Sequence, residues 1–151
     1  MQTRYFALVA GLVYALAGIA GFVPAFRTAL NGAAPALAID TGAGRLFGLF
    51  PINVLHNLVH LGLGIWGLAA YARYSAARTF SRGLAWILGV LAVMGFFPGL
   101  NTLFGLTPLF DHDIWLHGAT ALIAAYFGYR TPEVVEARPG VAGGRRDRQA
   151  A

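Results

Sequence analysis

The chain has 151 residues, of which 58% are hydrophobic and only 11% are charged, and it contains no cysteine. Soluble domains carry about 25% charged residues, so this composition excludes a water-soluble globule, and the lack of cysteine excludes disulfides, iron–sulfur clusters and covalently attached haem. The net charge of +5 reflects an excess of arginines that lie mostly outside the apolar runs, a distribution typical of membrane topology and not of nucleic-acid binding.

The first charge-free run, residues 5–26, predicts a membrane-spanning helix, because about 20 residues cross roughly 30 Å of hydrocarbon. Its apolar stretch of about 19 residues is longer than the roughly 7–15 residues typical of a signal peptide, so we expect a retained helix. Small residues form a stripe along this helix and predict a surface for close packing against another helix. They are Gly11, Ala15 and Gly18.

Three later runs predict three more spanning helices, at approximately 51–73, 83–99 and 111–130. The last run is short, but Asp113 and Arg130 at its ends reach the headgroup region. We therefore expect an all-α integral membrane protein, a four-helix bundle formed by residues 1–130. Residues 131–151 are polar and basic and contain proline and glycine, which predicts a flexible cytoplasmic tail.

The arginines predict the orientation of these helices, since cytoplasmic loops are enriched in basic residues. Two arginines, Arg27 and Arg45, fall on one side of the membrane and nine on the other. This division places both termini in the cytoplasm and residues 31–45 and 101–113 outside. We expect a multi-pass protein of the inner (cytoplasmic) membrane. The nine cytoplasmic arginines are Arg4, Arg73, Arg78, Arg82, Arg130, Arg138, Arg145, Arg146 and Arg148.

The second predicted helix has all its strongly polar side chains on one face. They follow the spacing i, i+3, i+4, i+7, which covers an arc of about 100° on a helix. Because polar groups that face lipid without a partner are unfavourable by several kcal/mol, this face is expected to point into the bundle. The four residues are Asn53, His56, Asn57 and His60.

The fourth predicted helix repeats this pattern with Asp113 and His117 at i, i+4. If Pro51 is the first residue of the second helix, His56 lies ~7 Å and His60 ~13 Å along its axis. With Asp113 as the N-cap of the fourth helix, His117 lies ~6 Å along that axis. His56 and His117 are then level in the outer half of the membrane, and their imidazoles are predicted to lie within ~10 Å of each other, the reach of one shared ion.

Three segments of the chain resemble an uncharacterised bacterial family of small four-span membrane proteins, a domain of unknown function. The segments are GRLFGLFPINVLHNLVHLGLGIWGLAA, FFPGLNTLFGLTPL and DIWLHGATALIAAYFGYR. The resemblance covers roughly residues 5–130 and depends on the motifs NVLHNLVHLxxG and DxWLH. It implies four helices, the histidine motif at His56 and His60, and His117 on the fourth helix. It implies no activity.

The polar cluster has several interpretations, which include proton or quinone handling by neutral histidines. The first of the three developed below is structural. Asparagine and histidine side chains can bond across a bundle, each pair contributing about 0.6 kcal/mol. The protein is then a structural component or an accessory subunit of a larger membrane assembly, or a homo-oligomer, surrounded by lipid and without nucleic acid. No catalytic residue is indicated, because the only serines, Ser75 and Ser81, lie at the cytoplasmic loop, far from His117. The sequence leaves the question of enzymatic activity open and leans against it.

The second interpretation is a metal site, because an HxxxH spacing places two imidazoles on one helix face. Nitrogen and oxygen ligands suit Zn, Fe or Cu, and the lack of the HExxH glutamate argues against a metalloprotease. The predicted ligands are His56, His60, Asp113 and His117, with Asn53 and Asn57 hydrogen-bonded around them.

The third interpretation is a haem b site. Two axial imidazoles must lie on opposite faces of the iron, so His56 and His60, one turn apart on one helix, cannot both be ligands. One of them together with His117 satisfies this requirement. The sequence therefore predicts His56, His60 and His117 as alternative haem ligands.

Overall fold

Four α-helices make up most of the described residues, 1–30 and 34–130 of the computed structural model. Two of these helices, α1 and α3 below, are long and apolar enough to cross a membrane. The predicted tail, residues 131–151, lies outside the described residues. The helices are α1 (Gln2–Gly21), α2 (Val54–Ala70), α3 (Tyr74–Gly95) and α4 (His112–Ala125), and α4 continues as a π-helix, Tyr126–Arg130.

Helices α1 and α2 pack antiparallel through glycines that bring their backbones together. A Cβ added to Gly67 would lie 2.7 Å from the Cα of Gly11, and a Cβ added to Gly18 would lie 2.9 Å from the backbone nitrogen of Leu61. Because no side chain separates the two helices at these points, van der Waals contact between backbones replaces side-chain packing. The predicted packing role of Gly11 and Gly18 is confirmed.

Helices α3 and α4 also pack antiparallel. Gly95 at the end of α3 faces Ile114 at the start of α4, and Gly128 of the π-helix faces Arg82 near the start of α3. The core that they share with α1 and α2 contains Phe80 and Leu84, both fully buried. The start of α1 lies at the end of the molecule where Gly128 faces Arg82. There the Thr3 hydroxyl donates a hydrogen bond to the Phe127 carbonyl oxygen over 3.3 Å.

A small antiparallel sheet lies at the opposite end of the helices. Its strands are β1 (Arg27–Thr28), β2 (Gly44–Leu46) and β3 (Phe50–Ile52), in that spatial order. The charge-free runs predict an all-α chain, whereas the described part is mostly helical with this sheet added. Strands of two or three residues are too short to show an alternating pattern, and β1 pairs with a segment far along the chain, so the sequence carries no local signal for them.

The helix boundaries differ from the predicted ones at the sheet end. Pro51 lies in β3 instead of beginning the second helix, and α2 starts at Val54 with Asn53 as its N-cap. Asp111 holds the N-cap position of α4 without a side-chain capping bond, and Asp113 lies in the first turn instead of capping the helix. Helix α1 ends at Gly21, because Pro24 begins a separate 3-10 turn.

The third helix starts nine residues before the predicted position 83, at Tyr74, and ends at Gly95. The prediction placed the boundary after Arg82 because it followed charge-free runs. Charged residues belong to this helix because their guanidinium groups reach a backbone acceptor: the Nε atoms of Arg78 and Arg82 both donate to the Gly128 carbonyl oxygen. A partnered guanidinium at a helix end is compatible with an otherwise apolar helix.

Candidate metal centre

Asn53 places the first histidine of the cluster. Its side-chain oxygen accepts a hydrogen bond from the backbone nitrogen of His56 over 2.8 Å, which caps α2. Its amide nitrogen donates to the carbonyl oxygens of Ile39 and Leu106, each over 2.8 Å. The fully buried Asn53 therefore ties two loops to the start of α2, and it acts on the backbone of His56 and not on its ring.

Three histidines from two helices converge on one point. One ring nitrogen from each of His56, His60 and His117 lies within 4.8 Å of the other two. The Nε2 atoms of His56 and His60 are 3.0 Å apart, and the ring centroids of His56 and His117 are 6.2 Å apart. The predicted proximity of His56 and His117 is thus confirmed, and both rings are buried.

Asp113 completes the cluster from the first turn of α4. Its Oδ2 atom lies 3.7 Å from Nε2 of His56 and 3.9 Å from Nε2 of His117, and only 2% of the residue is exposed. Among the described residues this oxygen has no hydrogen-bond partner. A buried carboxylate oxygen without a donor is unfavourable unless a positive charge or a proton accompanies it.

The two predicted supporting asparagines do not bond the imidazoles in the described part of the chain. The Asn53 amide donates to the two loop carbonyls, and the Asn57 side chain packs against Gly21 of α1, where an added Cβ would overlap the Asn57 side-chain oxygen. The Nδ1 atoms of His56, His60 and His117 have no partner within the described ranges. The usual hydrogen bond from a metal-binding imidazole to a neighbouring acceptor is therefore not supplied by these two amides.

Tyr14 of α1 is a member of the site that the polar-face argument missed. Its ring packs edge-on against His60, with centroids 5.2 Å apart, and only 9% of the residue is exposed. The sequence did hold a signal, because Tyr14 lies on the same face as Gly11 and Gly18, which contact α2. A tyrosine on this packing face is expected to be buried against α2.

The haem b interpretation, with His56, His60 and His117 as alternative ligands, stays a prediction. Axial imidazoles require a flat macrocycle around the iron between them. The space beside Nε2 of His56 already holds Nε2 of His60 at 3.0 Å and Oδ2 of Asp113 at 3.7 Å.

The chain belongs to the family described as "Domain of unknown function (DUF4383)", whose family model matches residues 4–130. No curated protein and no solved structure matches the chain. The matched region contains α2 and α4 with all three histidines of the cluster and Asp113.

Proposed function

We propose that the chain is a four-span protein of the inner membrane that holds a divalent transition-metal ion near its outer surface. Its surface supports the membrane location, because large apolar side chains are exposed on three helices: Leu16 (63%), Trp86 (69%) and Leu122 (75%). Helix α2 has 17 residues and rises about 26 Å, which is short of the roughly 30 Å of hydrocarbon by an amount that local thinning of the bilayer accommodates.

The proposed orientation places both termini in the cytoplasm, and it is tested with single cysteines in this cysteine-free chain. Cysteines introduced at Ala34 and at Ser75 should react with a membrane-impermeant maleimide from opposite sides. Ala34 should label in intact spheroplasts, and Ser75 should label only in inverted vesicles, because the arginine-rich loop stays in the cytoplasm. Labelling of both positions from the same side would contradict a four-span arrangement.

The metal proposal depends on one observation, the convergence of three imidazole nitrogens and a buried carboxylate oxygen. A cation between them satisfies Asp113 Oδ2 and one nitrogen of each histidine together. Three imidazoles and one carboxylate are a ligand set that suits Zn²⁺, Fe²⁺ or Cu²⁺. The ligands would be His56, His60, His117 and Asp113.

Ion binding by the three histidines requires a small contraction of their ring nitrogens. Ligand bonds to Zn²⁺ are about 2.0–2.2 Å long, so two ligands of one ion lie at most ~4.3 Å apart. The histidine nitrogens lie within 4.8 Å of one another, and changes of side-chain torsion close a difference of about half an ångström. Zn²⁺ is the suitable probe because it has no redox chemistry and tolerates flexible geometry.

The experiment measures bound metal in protein purified in mild detergent without chelators. We expect about one equivalent of metal per chain by elemental analysis, and saturable Zn²⁺ binding by the metal-depleted protein. The double variant His56→Gln/His60→Gln should lower Zn²⁺ affinity by more than about 100-fold, beyond the 10- to 100-fold typical of losing an outer hydrogen-bond partner. Glutamine keeps a polar side chain, so folding should persist.

The matched control is His112→Gln. This histidine lies one residue before Asp113 on α4, but it is exposed and its ring contacts Phe50 instead of the cluster. Zn²⁺ affinity should be unchanged in this variant. A wild-type protein that binds no Zn²⁺ with saturation would refute the metal site. The structural or accessory role would then stand, and the double substitution should lower only thermal stability, by roughly 0.6–2 kcal/mol.

A further inference from the structure

Two arginines meet at the end of the molecule opposite the histidine cluster. The Nε atom of Arg78 donates to the carbonyl oxygen of Gly128 over 3.1 Å, and the Nε atom of Arg82 donates to the same oxygen over 2.9 Å. Both bonds are partly buried, and a Cβ on Gly128 would lie 2.9 Å from Cγ of Arg82. The chain therefore holds two like charges side by side on one acceptor.

This pair of charges is not balanced by the protein groups described. The end of a helix carries about half a negative charge, which offsets only part of two guanidinium charges. The carboxylates of the described residues, Asp40, Asp111 and Asp113, all lie at the sheet end. Each guanidinium has five N–H donors, and in the described residues only the Nε donor of each is used. The remaining donors and the net charge are suited to an anion.

Aromatic side chains beside the pair indicate where this anion comes from. The Tyr129 ring lies under Arg82, 4.8 Å from its guanidinium carbon, and the Tyr129 hydroxyl accepts a hydrogen bond from Nε1 of Trp86 over 3.0 Å. Trp86 is 69% exposed and Tyr129 is 49% exposed. Tyr129 lies at the end of the π-helix, and Trp86 lies one turn beyond Arg82 in α3. Tryptophan and tyrosine are enriched at the membrane–water interface, where the abundant anion is the phosphate of a phospholipid.

We propose that Arg78 and Arg82 form a binding site for the phosphate group of an anionic phospholipid in the cytoplasmic leaflet. Guanidinium groups bind phosphate oxygens through paired, charge-assisted hydrogen bonds, and the Trp86–Tyr129 pair lies beside the acyl chains. This inference rests on the membrane-spanning part of the proposed function and is independent of the metal site. The site adds lipid recognition to a chain whose other end holds the histidine cluster.

The experiment measures lipid preference with the full chain in mild detergent, by thermal shift during titration with phosphatidylglycerol or phosphatidylcholine. An arginine near a membrane surface contributes about 1 kcal/mol to the binding of anionic lipid, so one or two effective charges correspond to roughly 5- to 30-fold tighter binding of phosphatidylglycerol. The preference should decrease as salt concentration rises, because the charges are screened. In the double variant Arg78→Gln/Arg82→Gln, the ratio of the affinities for phosphatidylglycerol and phosphatidylcholine should fall to about one.

Two further variants separate specific binding from general charge and from misfolding. Arg73→Gln/Arg130→Gln removes the same charge from the same end at two exposed positions, and it should keep the preference. Arg78→Lys/Arg82→Lys keeps the charge and should retain part of the preference for phosphatidylglycerol. Zn²⁺ binding and retention in carbonate-washed membranes are measured for every variant. Loss of membrane retention by the wild type would contradict the membrane proposal itself, whereas an intact, inserted protein without lipid preference would contradict only this inference.

Three outcomes would overturn the lipid site. The first is equal binding of the two lipids by the wild type. The second is displacement of phosphatidylglycerol by millimolar inorganic phosphate, which would assign the site to the free anion. The third is a preference that emerges only in Glu133→Gln/Glu136→Gln, which would show that carboxylates of the chain itself neutralise the arginines.

Discussion

Replacing Gly67 with alanine should destabilise the protein by about 3 kcal/mol, at the upper end of the usual penalty for overpacking. The added Cβ would lie 2.7 Å from the Cα of Gly11 and 2.9 Å from the carbonyl oxygen of Ala7. Both neighbours are backbone atoms, which cannot rotate away as a side chain can. Helices α1 and α2 must therefore separate along this contact, and their other close contacts weaken with it.

The matched control for this substitution is Gly62→Ala on the same helix. A Cβ at Gly62 meets no atom within 4 Å, so only the intrinsic preference of alanine for helices remains, which favours the variant by up to about 1 kcal/mol. Unfolding in mixed micelles of dodecyl maltoside and SDS gives both free energies on one scale. Equal changes in the two variants would contradict glycine-mediated contact between α1 and α2.

Replacing Asn53 with alanine should destabilise the protein by about 2–4 kcal/mol and also weaken Zn²⁺ binding. Loss of a helix N-cap costs about 0.5–2 kcal/mol, and the carbonyl groups of Ile39 and Leu106 lose their amide donor, each a further ~1 kcal/mol or more. Because Asn53 also holds the backbone nitrogen of His56, the first turn of α2 loosens and the histidine leaves its position more easily.

Asn53→Ser distinguishes the two roles of this side chain. Serine keeps an oxygen that caps the helix but cannot reach both loop carbonyls, so its stability should lie between those of the wild type and Asn53→Ala. Asn101→Ala is the control, because the Asn101 side chain makes no hydrogen bond within the described part of the chain, and it should change stability by no more than about 0.5 kcal/mol. A serine variant as unstable as the alanine variant would assign the whole effect to the amide donors.

The sequence by itself determined the helices and the face of α2 that carries the histidines. Long runs without charge can bury their backbone polar groups only as helices in an apolar environment, so their number and order can be read directly. The i, i+3, i+4, i+7 spacing of Asn53, His56, Asn57 and His60 is a property of helix geometry alone. The same local geometry predicted that Gly11 and Gly18 form a packing stripe.

The convergence of His56 and His117 was predicted from depth, but on a wrong starting residue. The prediction began the second helix at Pro51, whereas α2 begins at Val54. The two histidines still meet, because each lies within the first two turns of a helix that starts at the sheet end. The three-residue shift moves His56 by about 4.5 Å relative to the start of its helix, and one ring nitrogen of each histidine still lies within 4.8 Å of the other.

Only the tertiary structure decided what surrounds these histidines. The pairing of β1 with β2, the bonds from Asn53 to Ile39 and Leu106, and the contact of Tyr14 with His60 all join residues that are not neighbours in sequence. Local patterns carry no information about such partners, because every residue has a backbone carbonyl and local spacing does not show which one a distant side chain reaches. The early start of α3 has the same cause: Arg78 and Arg82 belong to an apolar helix because the Gly128 carbonyl, on another helix, accepts their N–H groups.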